Sequence, residues 1–502
     1  MRAVLNSGLM GCKQAWLLPH LIRSIDSGCS NGKDDPDSSS MPPEPQPTTE
    51  PSSSSAGQSS ASPLDRARRK AYLRLLPLLF LCYVVAYVDR SNVAIAKLTM
   101  TKDLPGFDNF VIGFGAGLFF WGYFLLEVPC SLLVEKWSAR RLLCRILVVW
   151  GFAAALTACV KTPMHFYIAR FLLGLGEAGF FPGVIVFLTH WFPARDRSRA
   201  LSLFLIATPV AQITSPKISN ALLKIGSSEI VNGAVVHHPL VLGLKGWQCV
   251  YVFWGIPAVL LGVLVLLFLT DRPEDAKWLT PQEKEALQNQ LAEEKAKRAA
   301  GRRLTLLQAF SHPKVLLLTL AYFCSTSANY GIEFFLPSIL QRWYSLKLDT
   351  ITWLVILPPC LSLLSQLFVG WNADRTRERR LHAVIPITLG LVALGLVPLT
   401  RGHLPLTIVC FMLAAAGIKA YQPAFWSLPS LFLTDVAAAG SVGLINSVGN
   451  LGGFWGPSVL GAVEKHTGSF EGGIYYLCFS MAVCATIIVR LGIGGKERET
   501  DS

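Results

Sequence analysis

Residues 165–191 read HFYIARFLLGLGEAGFFPGVIVFLTHW, an apolar run of 27 residues that carries one arginine, Arg170, and one acid, Glu177. About 20 helical residues cross a ~30 Å hydrocarbon core, so this run is long enough to span a bilayer. An Arg or a carboxylate at the centre of such a helix costs about 2.5–3.5 kcal/mol even on the lenient insertion scale. Both must therefore face an enclosed interior. They stand seven residues apart, two helical turns, and share a face, with Gly174 between them leaving room for a partner backbone or a ligand. A soluble core helix needs neither this length nor this apolarity.

Working outward, twelve runs of this kind recur. They cover Leu75 to Ala96, Phe110 to Val134, Cys144 to Val160, His165 to Trp191, Leu201 to Leu223 and Val250 to Leu269, then Val315 to Leu340, Ile351 to Trp371, His382 to Leu399, Leu404 to Leu433, Val442 to Val463 and Ile474 to Ile493. The composition, 52% hydrophobic and 15% charged over 502 residues, fits a chain whose solvent is lipid. The fold class expected is an all-α membrane protein, twelve transmembrane helices in two pseudo-symmetric six-helix bundles.

The formal charge of +13 raises nucleic acid as a partner, but the basic residues cluster in alternate loops rather than on one stripe. Arg66, Arg68, Arg69 and Lys70 precede the first span; Lys136, Arg140 and Arg141 follow the second; Arg195, Arg197 and Arg199 follow the fourth. Lys295 to Arg303 follow the sixth and Arg375 to Arg380 the eighth. These loops share one side, so the positive-inside rule places both termini in the cytoplasm, and the location expected is a cell inner (plasma) membrane. No nucleic acid is expected; the partners are lipid, a small solute and protons, and the chain acts as a monomer.

The halves repeat. SLLVEKWSARR after the second span and GWNADRTRERR after the eighth each set an acid and a base (Glu135, Lys136; Asp374, Arg375) before a basic pair (Arg140, Arg141; Arg379, Arg380), at an offset of 239 in both cases (135 to 374, 141 to 380). They read as gating-loop motifs of two related halves, an architecture common in transporters. The domains expected are 64–270 and 315–495, joined by a linker 271–314 in which Thr280 caps a surface helix with Glu283 three residues on, bridging the halves. Residues 1–63 form an extension whose Ser- and Pro-rich part from Asn31 reads as disordered, Met41 being an alternative start; 496–502 is a tail. The 12 cysteines show no CxxC pair, and most read as small buried hydrophobes.

Ionisable groups at membrane depth carry the chemistry. They are Asp89, Arg90, Glu127, Arg170, Glu177 and Lys217, then Glu333 and Lys419 in the second half. Arginines suit an anion, and a buried carboxylate suits a proton that is taken up and released. Asp89 and Arg90 fall near the end of the first span, and Glu127 precedes Pro129 near a helix end, where a structural part is the commoner one. Glu333 and Lys419 either neutralise each other or meet a ligand, Glu333 then as a proton-coupling group. Tyr87, Tyr123, Tyr330, Trp426, Asn446 and Asn450 are polar-tipped groups able to hydrogen-bond a solute or simply to pack.

With these motifs in hand, the chain resembles the major facilitator superfamily, and within it the anion:cation symporter family, over about Leu64 to Lys496. YVDRSNVAIAKLTM, GAGLFFWGYFLLEVP, RFLLGLGEAGFFPG, LTDRPEDAKWLTPQEK and GLINSVGNLGGFWGP look like its bacterial tartrate-type, or sugar-acid, branch. The resemblance implies two bundles rocking about a central site that admits an organic anion with protons. It implies Asp89 and Glu177 as proton sites, Arg90 and Arg170 as anion contacts, and Tyr123, Trp426 and Asn446 as solute contacts. Lys217, Glu333 and Lys419 depart from that pattern, and two extra cations point to a more highly charged anion. Phosphate-ester exchange and solute sensing remain alternatives within the fold. No phosphate loop, metal-spaced cluster or nucleophile elbow stands out, so neither enzyme chemistry nor a cofactor is expected.

Overall fold

Three of the apolar runs in the first half begin where a side chain caps the first turn. Ser62 Oγ accepts from the Asp65 amide at 3.1 Å, Ser138 Oγ from Arg141 at 3.2 Å and Thr162 Oγ from His165 at 3.3 Å, with Pro63 and Pro163 at the first helical position. The computed structural model describes residues 62–136, 138–226, 228–231, 234–237, 240–299, 312–431 and 435–493. Its first half runs α1 (Pro63–Ser91), α2 (Val93–Asp103), α3 (Asn109–Lys136), α4 (Ala139–Leu156), α5 (Pro163–Glu177), α6 (Phe180–Trp191), α7 (Ala194–Leu205), α8 (Ala207–Leu223), β1 (Ser228–Val231), β2 (Ala234–His237) and α9 (Gly246–Phe268). A linker helix α10 (Pro281–Ala299) precedes the second half. That half runs α11 (Pro313–Tyr344), α12 (Leu348–Leu354), α13 (Leu357–Thr376), α14 (Arg380–Leu396), α15 (Leu404–Ala420), α16 (Gln422–Ser427), α17 (Asp435–Asn450), α18 (Gly452–Thr467) and α19 (Glu471–Leu491).

Among the described residues eleven helical runs are long and apolar enough to cross a membrane. The remaining expected span, Val442 to Val463, is helical but stepped at Leu451, as α17 and α18. Its glycines bring it onto α11: a Cβ on Gly452 or Gly456 would lie 2.1 Å from the carbonyl oxygen of Phe323 or Ser327. The outer surfaces of the bundles stay apolar, Leu267 at 66% and Phe368 at 63% exposure among them, as lipid-facing residues must. The chain is a multi-pass membrane protein.

The spans are helical throughout, as expected, and the loop between α8 and α9 adds a short antiparallel hairpin, β1 and β2, pairing Ser228 with His237 on the side opposite the linker. One expectation needs correction: the described contacts of α10 do not bridge the halves but run to the first. Thr280 and Glu283 form the reciprocal cap, amide to side chain at 3.0 and 3.3 Å, and the same Glu283 carboxylate takes Lys70 Nζ at 2.7 Å and Arg66 Nε at 3.5 Å. Gln290 accepts from Arg68 at 3.0 Å. The basic residues before the first span thus hold the linker helix, a use that counting loop charges does not reveal.

The Lys70 hydrogen bond, with Thr280 and the Lys70 charge, holds the Glu283 carboxyl below its ordinary range. The stabilisation is present above the unfolded carboxyl pKa and is lost as pH falls through the lowered folded value. Glu283→Gln at neutral pH is accordingly expected to speed limited proteolysis within residues 281–299 severalfold while leaving the transmembrane core intact. Unchanged cleavage would mean the docking does not depend on this charge.

The halves meet toward the hairpin side and at mid-depth. Asn220 of α8 and Lys224, just past its end, both bond Asp349 of α12, the lysine at 2.9 Å. Lys465 pairs with Asp108 at 3.0 Å, and Gly113 and Gly117 admit the backbone of Pro457 and Phe454. Of the ten described cysteines six are buried and none is bonded to another; Cys159 is exposed. The expected disordered extension lies outside the described residues as far as 61, and its last two residues, Ser62 and Pro63, instead cap and open α1; the tail after Gly492–Ile493 and the side chains of Glu135, Lys136 and Asp374 also lie outside.

Candidate functional site

Two helix breaks place the charges. The first span is one long run, Pro63–Asp103, with its ladder disturbed at Asn92, whose carbonyl takes both the Ile95 and Ala96 amides at 3.1 and 2.9 Å. Asp89 and Arg90 sit just before this disturbance, at mid-span rather than near a span end as the sequence suggests. The fourth span breaks after Glu177, where Gly179 adopts φ +87°, a conformation side chains resist, with Cys130 Cβ only 2.3 Å from where a Cβ would stand.

The breaks bring Arg90 and Glu177 together. They form a buried ion pair, Glu177 1% and Arg90 9% exposed. Arg90 also donates to Tyr330 Oη at 3.1 Å and lies 5.0 and 5.3 Å from the ring centres of Phe119 and Tyr123. Arg170, wholly buried, instead points its two terminal nitrogens at the backbone carbonyls of Asp89 and Arg90, each at 3.5 Å, the long end of hydrogen-bond range. Its position is that of a group holding the break open. Gly174 serves a backbone and not a ligand: a Cβ there would lie 2.0 Å from the Phe119 carbonyl oxygen. Asp89 turns the other way, accepting from Trp150 Nε1 at 2.8 Å inside the first bundle.

Across the cleft the second half supplies a partner for each group. Tyr87 donates to Glu333 at 2.9 Å while Arg90 donates to Tyr330, so each half contributes a tyrosine and a charge and the bonds cross between halves. Tyr87 and Arg90 stand three apart on α1, Tyr330 and Glu333 three apart on α11, at an offset of 243 in both cases (87 to 330, 90 to 333). Gln212 donates to Tyr87 Oη at 3.2 Å. A cavity opens beside this crossing, lined by Ser91, Gln212, Asn329, Glu333 and Lys419 and walled by Pro216, Ile332, Leu336, Pro358 and Pro359.

Other expected site residues fall elsewhere. Lys217 is not in that cavity; its ammonium lies 3.5 Å from the ring centre of Trp353, sealing α8 against α12. Trp426 packs edge-on against Tyr322 at 4.8 Å, and Asn446 donates to Glu127 Oε1 at 2.8 Å. Glu127, 4% exposed, is thus a contact between halves rather than a helix-end group. Asn450 ends α17, below the Gly452 crossing. In the loop motifs, the Arg140 amide is held by Asp271 at 2.8 Å, and Arg375 lies 5.3 Å from the ring centre of Trp371. Arg141 is exposed, while Arg379 caps and Arg380 opens α14.

The sequence reading missed Lys97. It is 1% exposed, with its ammonium 3.8 Å from the ring centre of Phe335. Ending the first span at Ala96 put it outside the membrane by one residue, whereas its place seven residues after Arg90, two turns along one face, signals an inward position. The 243 offset between YVDR and YGIE was equally available. Among the described residues no three His, Cys, Asp or Glu side chains are grouped to hold a metal ion.

Comparison with known proteins gives this arrangement its context. The Major Facilitator Superfamily pattern matches residues 79–457. A relative from Agrobacterium vitis named "Putative tartrate transporter" is 37% identical over 426 residues, 85% of this chain and 91% of its own length. The "Quinolone resistance transporter" of Acinetobacter baumannii is also 37% identical, over 86% of this chain and 96% of its own. Among solved structures, the proton:xylose symporter XylE bound to 6-bromo-6-deoxy-D-glucose superposes with a TM-score of 0.64 at 14% identity, covering 84% of this chain and 96% of that one, which establishes the fold.

Proposed function

From the premise that the chain belongs to the Major Facilitator Superfamily, and is a membrane transporter rather than an enzyme, we propose that it carries a small organic anion together with protons by alternating access. The observation that carries the proposal is the buried Arg90–Glu177 pair in contact with both halves through Tyr330. A charged pair desolvated this way is held by its mutual attraction, and removing one charge leaves the other exposed to a large penalty. Protonation of Glu177 does that to Arg90. An anion then takes the place of the lost carboxylate, so proton and substrate enter the cleft as a neutralising couple. Arg90 is the anion contact and Glu177 the coupling group.

Arg170 and Asp89 support this centre from behind, Arg170 by holding the two carbonyls and Asp89 through Trp150. Tyr87, Tyr123 and Tyr330 surround the guanidinium, while Trp426 and Asn446 make their contacts outside the cavity lining, on Tyr322 and Glu127. Rocking of the bundles breaks the Lys224–Asp349 and Lys217–Trp353 contacts on the hairpin side, and the loop motifs at Glu135 to Arg141 and Asp374 to Arg380 act on the linker side. The basic linker-side loops support an orientation with both termini in the cytoplasm, and an inner membrane is the location proposed. A monomer suffices, because one chain supplies both walls of the cleft. A tartrate-like dicarboxylate or sugar acid is the substrate class that the Agrobacterium vitis relative's name favours.

The test is uptake into proteoliposomes of radiolabelled sugar acids, dicarboxylates and phosphate esters, with and without an inward proton gradient. Saturable carboxylate uptake that needs the gradient is expected. Uptake confined to phosphate esters, driven by trapped phosphate and indifferent to the gradient, would replace this reading with exchange.

A further inference from the structure

The cavity holds two charged side chains that the Arg90–Glu177 couple does not use, Glu333 and Lys419. Glu333 Oε2 accepts from Tyr87 and the Gln212 amide faces the same carboxyl, but its Oε1 is enclosed and has no hydrogen-bond partner. Lys419 stands one residue before the end of α15, where the helix gives way to α16, and the acid whose charge acts on its ammonium is Glu333, with no ion pair formed between the two among the described residues. The two line one cavity without closing on each other. A carboxylate oxygen with free lone pairs and an ammonium with free protons, both walled by proline and aliphatic carbon, are each left short of a protein partner that a ligand of complementary chemistry supplies.

That ligand must present a negative acceptor to Lys419 and a hydrogen-bond donor to Glu333. We infer that the cavity recognises a carboxylate carrying hydroxyl or ammonium donors on neighbouring carbons, with Lys419 taking the carboxylate and Glu333 the donor. Glu333 is then a specificity-determining residue and not a carrier of the coupled proton. The inference rests on the anion-transport reading above and deepens it. It also corrects the expectation of a more highly charged anion: with Lys217 held outside by Trp353, the cavity contributes one cation and one acid. The place of Glu333 in the fold agrees, since it is the counterpart of Arg90 under the 243 offset with the sign of its charge inverted. One half thus presents a charge that takes an acceptor and the other a charge that takes a donor.

Tartrate and succinate share a four-carbon chain and two carboxylates and differ in two hydroxyls, so they isolate the donor contact. In proteoliposomes the wild-type protein is expected to prefer tartrate in competition by about tenfold or more, because a site built for a donor penalises the analogue lacking it. Glu333→Leu is expected to bring the ratio within about twofold while succinate is still carried. Lys419→Met is expected to weaken both acids alike, by about tenfold. Glu333→Gln, an isostere that keeps the fold, is expected to leave the number of protons moved per anion unchanged. A wild-type ratio near one, a ratio retained in Glu333→Leu, or a changed proton count in Glu333→Gln would overturn the inference while leaving anion transport standing. Failure of the wild-type protein to carry any carboxylate would instead overturn both.

Discussion

Replacing Arg90 with Met is expected to lower anion uptake at least about 100-fold, and Lys at the same position is expected not to restore it. Breaking a buried ion pair costs about 3–5 kcal/mol because one charge is left behind, and each 1.4 kcal/mol is a factor of about ten. The charge left behind here is Glu177, 1% exposed and with no second cation bonded to it among the described residues. Lysine offers a point charge in place of a planar fork that faces Glu177 and Tyr330 together, so it cannot reproduce both contacts. Loss of fold is a competing cause, and the double variant Arg90→Met, Glu177→Gln separates the two. With neither charge present the core is relieved, so that protein should elute as a single species from size exclusion yet still fail to transport. Recovery of uptake in the double variant would mean that Arg90 serves only to neutralise Glu177.

The helices were legible because length, apolarity and capping are local properties, and each ionisable residue stood out against a background that penalises it. Pairing was not legible in the same way. Arg170 and Glu177 do share a helix, but Glu177 ends it, and the chain reverses its local geometry two residues later at Gly179. The pair that forms therefore joins Glu177 to Arg90, 87 residues earlier, while Arg170 is drawn to carbonyls that the disturbance at Asn92 exposes. Glycine shows the same limit. Gly174 in a sequence means either a ligand or a backbone nearby, and only the crossing of α3 and α5 decides for the backbone. Lys217 and Lys419 looked alike, each a lone lysine in an apolar run. What distinguishes them is that an exposed Trp353 covers the first and a cavity receives the second. The crossed tyrosines were visible in principle through their common offset, since repeats in transporters preserve position while changing residue type. The loop motifs keep the sign of each charge between the halves, whereas Glu333 inverts that of Arg90, and the inversion hides the match.

Glu177→Gln is expected to abolish coupling without abolishing the site. Wild-type uptake should rise with an inward proton gradient and acidify the lumen as substrate enters. In the variant both effects should vanish, while counterflow exchange of labelled for unlabelled anion continues within a fewfold of wild type. Glutamine keeps the shape of the side chain and a carbonyl oxygen for Arg90 but carries no charge at any pH, so it imitates the protonated acid. The sign follows from that. In the wild-type protein a deprotonated Glu177 competes with the anion for Arg90, so apparent affinity should fall as pH rises; in Glu177→Gln it should stay at the low-pH level throughout. A variant that still acidifies the lumen in proportion to uptake would pass the proton to another acid. Asp89 is the nearest alternative on this side of the cleft, and its Trp150 bond, directed away from the cavity, is the physical reason it stands second.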